Sequence, residues 1–252
     1  MSRYLFCYQT LVTFSKPVAA HAVLLRCQPV NTRCQQIEEQ HLLLPPDFAF
    51  RHSTDGFGNR IVYGCQREPH CTLAYVSTGI VQLTPYTVER GAEPVAIYRQ
   101  PTALTSLAEP VTVRNFGDPI ETALQICHQV HDVLDYMPQT TDVETTAEEV
   151  WKKRCGVCQD YAHLMLAVCR QKGIAARYVC GFVAGTGETH AWVEVFDGYA
   201  WVGFDPTHDL RIQLGYVKLA HGRDVSDCPV SRGVYQGDAI QQTSVNVMLQ
   251  EI

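Results

Sequence analysis

The 252-residue chain has no apolar run long enough to cross a bilayer as a helix, no clustered basic residues, no polar low-complexity tract and no internal repeat. These absences exclude a helical membrane protein, a disordered chain and a solenoid. The net charge of −6 argues against nucleic-acid binding, which needs a surface of Lys and Arg set against phosphate. Hydrophobic residues make up 46% and charged residues 18%, so the chain can bury a sizeable core as one large domain or two compact ones. Eleven cysteines are scattered along it. An odd number, in a chain too large to need covalent staples, argues against a secreted disulfide framework and for a reducing, cytoplasmic setting. Arg3, the stretch Tyr4 to Phe14 and the alanines around His21 imitate a signal peptide. Gln9, Thr10 and Thr13 interrupt that apolar run, however, and "YQTLVTFSKP" alternates as a β-strand does.

Residues 1–112 are rich in β-branched and aromatic side chains punctuated by Pro, Gly and Asn. "AHAVLLRCQPV", "RIVYGCQRE", "CTLAYVSTGIVQL" and "EPVAIYRQP" read as strands, with "STDGFGN" as a turn, which predicts a β-sandwich-like N-terminal domain. The pattern changes in residues 113–252. Asp118 as N-cap, Pro119 in the first helical position and Glu121 open a helix of about five turns. Thr146 and Glu149 have capping-box spacing for a shorter helix. A third starts near Cys158 and ends at Gly173, with Tyr161, Leu164, Met165, Val168 and Cys169 on its apolar face. Strands follow, ending in "TSVNVMLQE", and the fold class is α+β.

Cys158 falls in the first turn of the third helix, where the positive end of the helix dipole favours a thiolate. "HAWVEVFDGYAWVGFDP" reads as a hairpin. With Asp197 and Gly198 as its central turn residues, Phe196 faces Tyr199 and His190 faces Asp205. One sheet face then carries Ala191, Val193, Val195, Val202 and Phe204, and the other His190, Trp192, Glu194, Trp201 and Asp205. A carboxylate beside a histidine fixes its tautomer and supports the imidazolium, as a general base requires. The pattern is that of a helix-end thiol served by a His–Asp pair.

These residues resemble the transglutaminase-like superfamily of papain-type thiol enzymes, in its bacterial branch with an N-terminal β-domain. The resemblance rests on "GVCQDYAHLMLAVCRQKGIAARYVCGF", "THAWVEVF" and "WVGFDPTHD", with echoes in "TTAEEVW", "GRDVSDCPVSRGVYQG" and "DGFGN". It implies a papain-like core of helices packed on an antiparallel sheet, a triad of Cys158, His190 and Asp205, and acyl transfer through a thioester to or from a peptide or protein amide. No metal or cofactor is implied. Animal transglutaminases carry Trp directly after the nucleophile where this chain has Gln159, which favours amide or peptide hydrolysis over calcium-dependent crosslinking.

Gln159 and Trp192 are candidate oxyanion or substrate residues, alongside the backbone N–H of Cys158. Two other readings of Cys155 and Cys158 stay open: a redox pair, and half of a zinc site completed by Cys169 and Cys180. A non-catalytic peptide-binding module on the same fold is a third alternative. His163 is expected to be structural, Asp160 a cap pointing away from the thiol, Tyr161 core, and His208 and Asp209 a solvated turn or the rim of a cleft. "GTGET", residues 185–189, reads as a mobile lid or an ordinary connection.

Overall fold

A computed structural model describes residues 1–46 and 48–252. The organising element is β1 (Ser2–Leu25), a strand of 24 residues. It is followed by β2 (Gln35–Leu43), β3 (Ala49–Thr54), β4 (Arg60–Gln66) and β5 (His70–Leu83). Three helices come next: α1 (Pro119–Val133), α2 (Ala147–Lys153) and α3 (Cys158–Gln171). Then come β6 (Ala176–Val183), β7 (His190–Phe196), β8 (Ala200–Asp205), β9 (Tyr216–Gly222), β10 (Ser231–Gln236) and β11 (Gln241–Glu251).

A strand as long as β1 needs partners along both edges, and it finds them by changing neighbours at a bend near Pro17, where the register shifts and Ala20 has φ of 48°. Before the bend it lies between β5 and β11, and after it between β4 and β10. Two of these partners come from the C-terminal end of the chain. The N-terminal strands, read from the sequence as a β-sandwich-like domain over residues 1–112, share one antiparallel sheet with strands from the C-terminal end, which cover edges that the N-terminal strands alone would leave bare. The second sheet, ordered β8–β7–β6–β9, is also antiparallel. Phe6 and Tyr8 of β1 meet Phe182 of β6 at centroid distances of 5.9 and 5.6 Å, so one apolar core runs through both sheets and the helices.

The capping signals act locally as the sequence predicts. The Asp118 carboxylate accepts from the N–H groups of Ile120 and Glu121, and Thr146 and Glu149 form a reciprocal box on α2. α1 has 15 residues, one turn fewer than expected. "EPVAIYRQP" is a 3₁₀ turn over Val95–Arg99. Its Tyr98 is buried edge-on against Trp201 at 5.2 Å, and the Tyr98 carbonyl accepts from Arg170.

That segment explains a second departure from the expected pattern, in which only one face of the hairpin was core. Residues 86–98 lie over the face that carries Trp192, Glu194 and Trp201, so β7 and β8 are buried on both sides. Glu194 is fully buried there. It accepts from Arg177 Nε at 2.5 Å, Lys218 Nζ at 2.7 Å and the Tyr86 hydroxyl at 2.6 Å. Burial pushes its carboxyl up, but Arg177 and then Lys218 overcome this and hold it down at about 2. Burial likewise brings Lys218 down to about 8. Removing the carboxylate leaves Lys218 without its counter-ion in the interior and Arg177 with Glu93 alone. Glu194→Ala is expected to cost about 3–5 kcal/mol in urea denaturation, and a loss below about 1 kcal/mol would contradict this account of the cluster.

Candidate active site

The segment that delivers Cys158 is a tight sequence of turns. α2 ends in Arg154, in the left-handed conformation with φ of 60° and its guanidinium stacked 3.5 Å over the Trp151 ring. Cys155 and Gly156 pair in parallel with Asp135 and Tyr136, Val157 serves as N-cap, and α3 begins at Cys158. Asp160 locks this entry. Its Oδ2 accepts from the Val157 N–H at 2.7 Å and from the Thr141 hydroxyl at 2.6 Å. A Cβ on Gly156 would lie 2.5 Å from the same oxygen, so only glycine lets the carboxylate close over the turn. Asp160 is thus a buried cap facing back along the chain.

The hairpin register differs from the expected one by two residues. Val193 pairs with Phe204 and Phe196 with Trp201, so Gly198 and Tyr199 are the central turn residues. The Asp197 carboxylate accepts from the N–H groups of Tyr199 and Ala200, both at 2.7 Å, and this drives the shift. A shift of two preserves the alternation of faces. His190 and Asp205 therefore stay on one face as diagonal neighbours, with Nε2 of His190 donating to Oδ2 of Asp205 at 2.7 Å.

That carboxylate oxygen also accepts from Nδ1 of His208 at 2.8 Å and from the Tyr216 hydroxyl at 2.7 Å, while Oδ1 accepts from the Thr207 N–H at 2.8 Å. Burial pushes the Asp205 carboxyl up, but hydrogen bonds from His190 and then His208 outweigh it and hold it far below the carboxylate range. Sequence reading left His208 as a turn or rim residue. The structure puts its ring against His190 with centroids 5.1 Å apart. Tyr216 was missed because nothing in the local pattern of β9 ties it to a residue eleven positions earlier. α1 steadies the turn after Asp205: His128 bonds Asp209 and His131 donates to the Pro206 carbonyl at 3.3 Å.

With Nε2 committed to Asp205, the other imidazole nitrogen of His190 is the one the carboxylate does not hold. Burial lowers the His190 pKa, but the bond to Asp205 and then the nearby Cys158 thiol overcome this and raise it to about 10. Cys158, His190 and His208 line a groove of about 800 Å³ with Tyr136, Gln139 and Thr186–Thr189 among the other walls.

The two further candidates do not reach this groove. Trp192 is fully buried behind His190, and its indole N–H donates to the Tyr86 hydroxyl at 3.0 Å. The Gln159 amide donates to the Asp142 carbonyl at 3.3 Å. "GTGET", read from the sequence as a mobile lid or an ordinary connection, is anchored over its first three residues, since Gly185–Gly187 pairs with Val247–Leu249 of β11. His163 is buried and accepts from the Val225 N–H at 3.3 Å, a structural role. All eleven cysteines are free thiols, Cys169 and Cys180 are buried in the core, and among the described residues none of the four belongs to a cluster of three or more potential metal ligands.

Among the described residues, His190, Asp205 and His208 bring ligand atoms within 4.8 Å of one another, close enough to share a metal ion. Each of them, and Tyr216, already spends a hydrogen bond on this cluster, so an entering cation would have to displace three donors from one oxygen. The arrangement fits a proton-holding pair better than a coordination sphere.

The linkage has a definite sign. The raised His190 value means its bond stabilises the fold below the ordinary histidine range and is lost as pH climbs through about 10. The depressed Asp205 value means its contribution is present above the carboxylate range and is lost on acidification. NMR titration of the His190 ring should therefore show it keeping its proton well above pH 7, and Asp205→Asn should bring the midpoint down by at least about one pH unit. An unchanged midpoint in that variant would contradict the assignment.

Residues 105–206 match the family model described as the transglutaminase-like superfamily, and residues 4–82 match the bacterial transglutaminase-like N-terminal region. The chain is 30% identical over 273 residues to an uncharacterised protein of Mycobacterium tuberculosis, covering 92% of this chain and 87% of that one. It is 29% identical to an uncharacterised protein of Mycobacterium leprae, with 91% and 92% covered. Its fold is similar to that of a candidate cysteine protease from Cytophaga hutchinsonii, at a TM-score of 0.81 and 21% identity, over all of this chain and 91% of that one. The chain belongs to the transglutaminase-like superfamily, with the bacterial N-terminal region preceding its core.

Proposed function

We propose that the protein is a thiol-dependent amide or peptide hydrolase in which Cys158, His190 and Asp205 act as a triad. The observation that carries this reading is the juxtaposition in one groove of a thiol at the first residue of α3 and a histidine whose far nitrogen is bonded to a buried carboxylate. The candidate cysteine protease of similar fold is consistent with it.

The steps follow from the atoms. The Cys158 thiolate attacks the carbonyl carbon of the substrate amide, forming a C–S bond, and the oxyanion takes the backbone N–H of Cys158, which has no acceptor inside the helix. His190, as imidazolium, gives the proton on the nitrogen facing Cys158 to the departing nitrogen as the C–N bond breaks, leaving a thioester. His190 then takes a proton from water, whose oxygen attacks the thioester and releases the acid as the C–S bond breaks. An amine in place of water gives acyl transfer by the same route. Asp205 holds the imidazole in one tautomer throughout. Eleven free thiols suit a reducing compartment.

Amidase or peptidase activity, screened on peptide and γ-glutamyl amides, is expected to fall by at least about 10³-fold in Cys158→Ala. The side chain is only partly buried, so stability should change by less than about 1 kcal/mol. Turnover that survives in Cys158→Ala would overturn the reading, and tight peptide binding without turnover in the wild type would favour a binding module.

A further inference from the structure

We infer that the groove takes an extended peptide segment carrying positive charge, laid along Gly185–Gly187 and selected by Glu188. This deepens the thiol-enzyme reading and rests on it. Gly185–Gly187 is the outermost strand of its sheet, hydrogen-bonded to β11 on one side, with no other strand paired to it among the described residues. Such an edge offers backbone N–H and C=O groups to an incoming extended chain. A Cβ built on Gly185 or Gly187 would meet nothing within 4 Å, so the sheet surface at these two residues is open to the side chains of a bound chain. Thr186, Gly187, Glu188 and Thr189 line the same groove as Cys158 and His190, so a chain on this edge runs past the thiol.

Charge then narrows the ligand. Among the described lining residues Glu188 is the one carboxylate, and outside the thiol–imidazole pair the rest are neutral or histidine. Glu188 is exposed, lines the groove and makes no ion pair with another residue among the described ones, so its charge is available to a cation on an entering chain. Lysine or arginine side chains at alternate positions of an extended chain project to one side, where a carboxylate in the groove wall attracts them.

The test uses the full-length protein and acetylated pentapeptide amides of sequence Ala-Lys-Ala-Lys-Ala, with norleucine and glutamate counterparts, as protectants of Cys158 against iodoacetamide read by peptide mass spectrometry. The lysine peptide is expected to protect at a concentration at least about fivefold lower than the glutamate peptide. Glu188→Gln should level the series and Glu188→Lys should invert it. No difference among the three peptides, including no protection by any, or an order unchanged in Glu188→Lys, overturns the inference. Failure of the underlying reading shows separately, as Cys158 reacting no faster than the other partly exposed thiols when no peptide is present.

Discussion

One oxygen atom, Oδ2 of Asp205, holds the candidate site together. It is buried, ionised and approached by three donors from three parts of the chain: His190 on β7, His208 in the turn after β8, and Tyr216 on β9. A buried carboxylate without such donors would take up a proton and lose its hold on the imidazole. With them it stays charged and fixes which nitrogen of His190 carries the proton toward it, and in the proposed mechanism the opposite nitrogen serves Cys158. The turn that carries Asp205 and His208 is in turn held by His128 and His131 of α1, so the carboxylate is positioned by helix and sheet together.

The rest of the fold supplies the rigidity this arrangement needs. β7 and β8 are covered on one face by the helices and on the other by residues 86–98 and the Glu194 cluster. Tyr86 links that cluster to the site, because its hydroxyl donates to Glu194 and accepts from Trp192, whose ring backs His190 at 6.5 Å. The bend in β1 draws the C-terminal strand β11 into the first sheet, and β11 in turn carries Gly185–Gly187, one wall of the groove. The N-terminal region is therefore part of the frame of the site.

Much of the candidate site was legible because its signals are local. Helix caps at Asp118 and Thr146 act within three residues, and the Gly-Val-Cys-Gln-Asp run encodes a turn whose glycine and aspartate fit each other. The His190–Asp205 pairing was reached through a register that is off by two residues. It survived because face depends only on parity, a property that tolerates this error. What the sequence hid is long-range. Nothing near Tyr216 announces Asp205, nothing near Trp192 says that residues 86–98 cover its face, and a two-residue period cannot tell a strand from the 3₁₀ turn at Val95–Arg99. The pairing of β1 with β11 spans almost the whole chain, so a boundary drawn from composition at residue 112 could not foresee it.

Activation of Cys158 by His190 is read in the rate of carboxamidomethylation of each cysteine at pH 6, in the wild type and in His190→Ala, resolved by peptide mass spectrometry. Cys158 is expected to lead the other partly exposed thiols in the wild type and to lose at least about tenfold of its rate in the variant. Equal rates for Cys158 in the two proteins would contradict it.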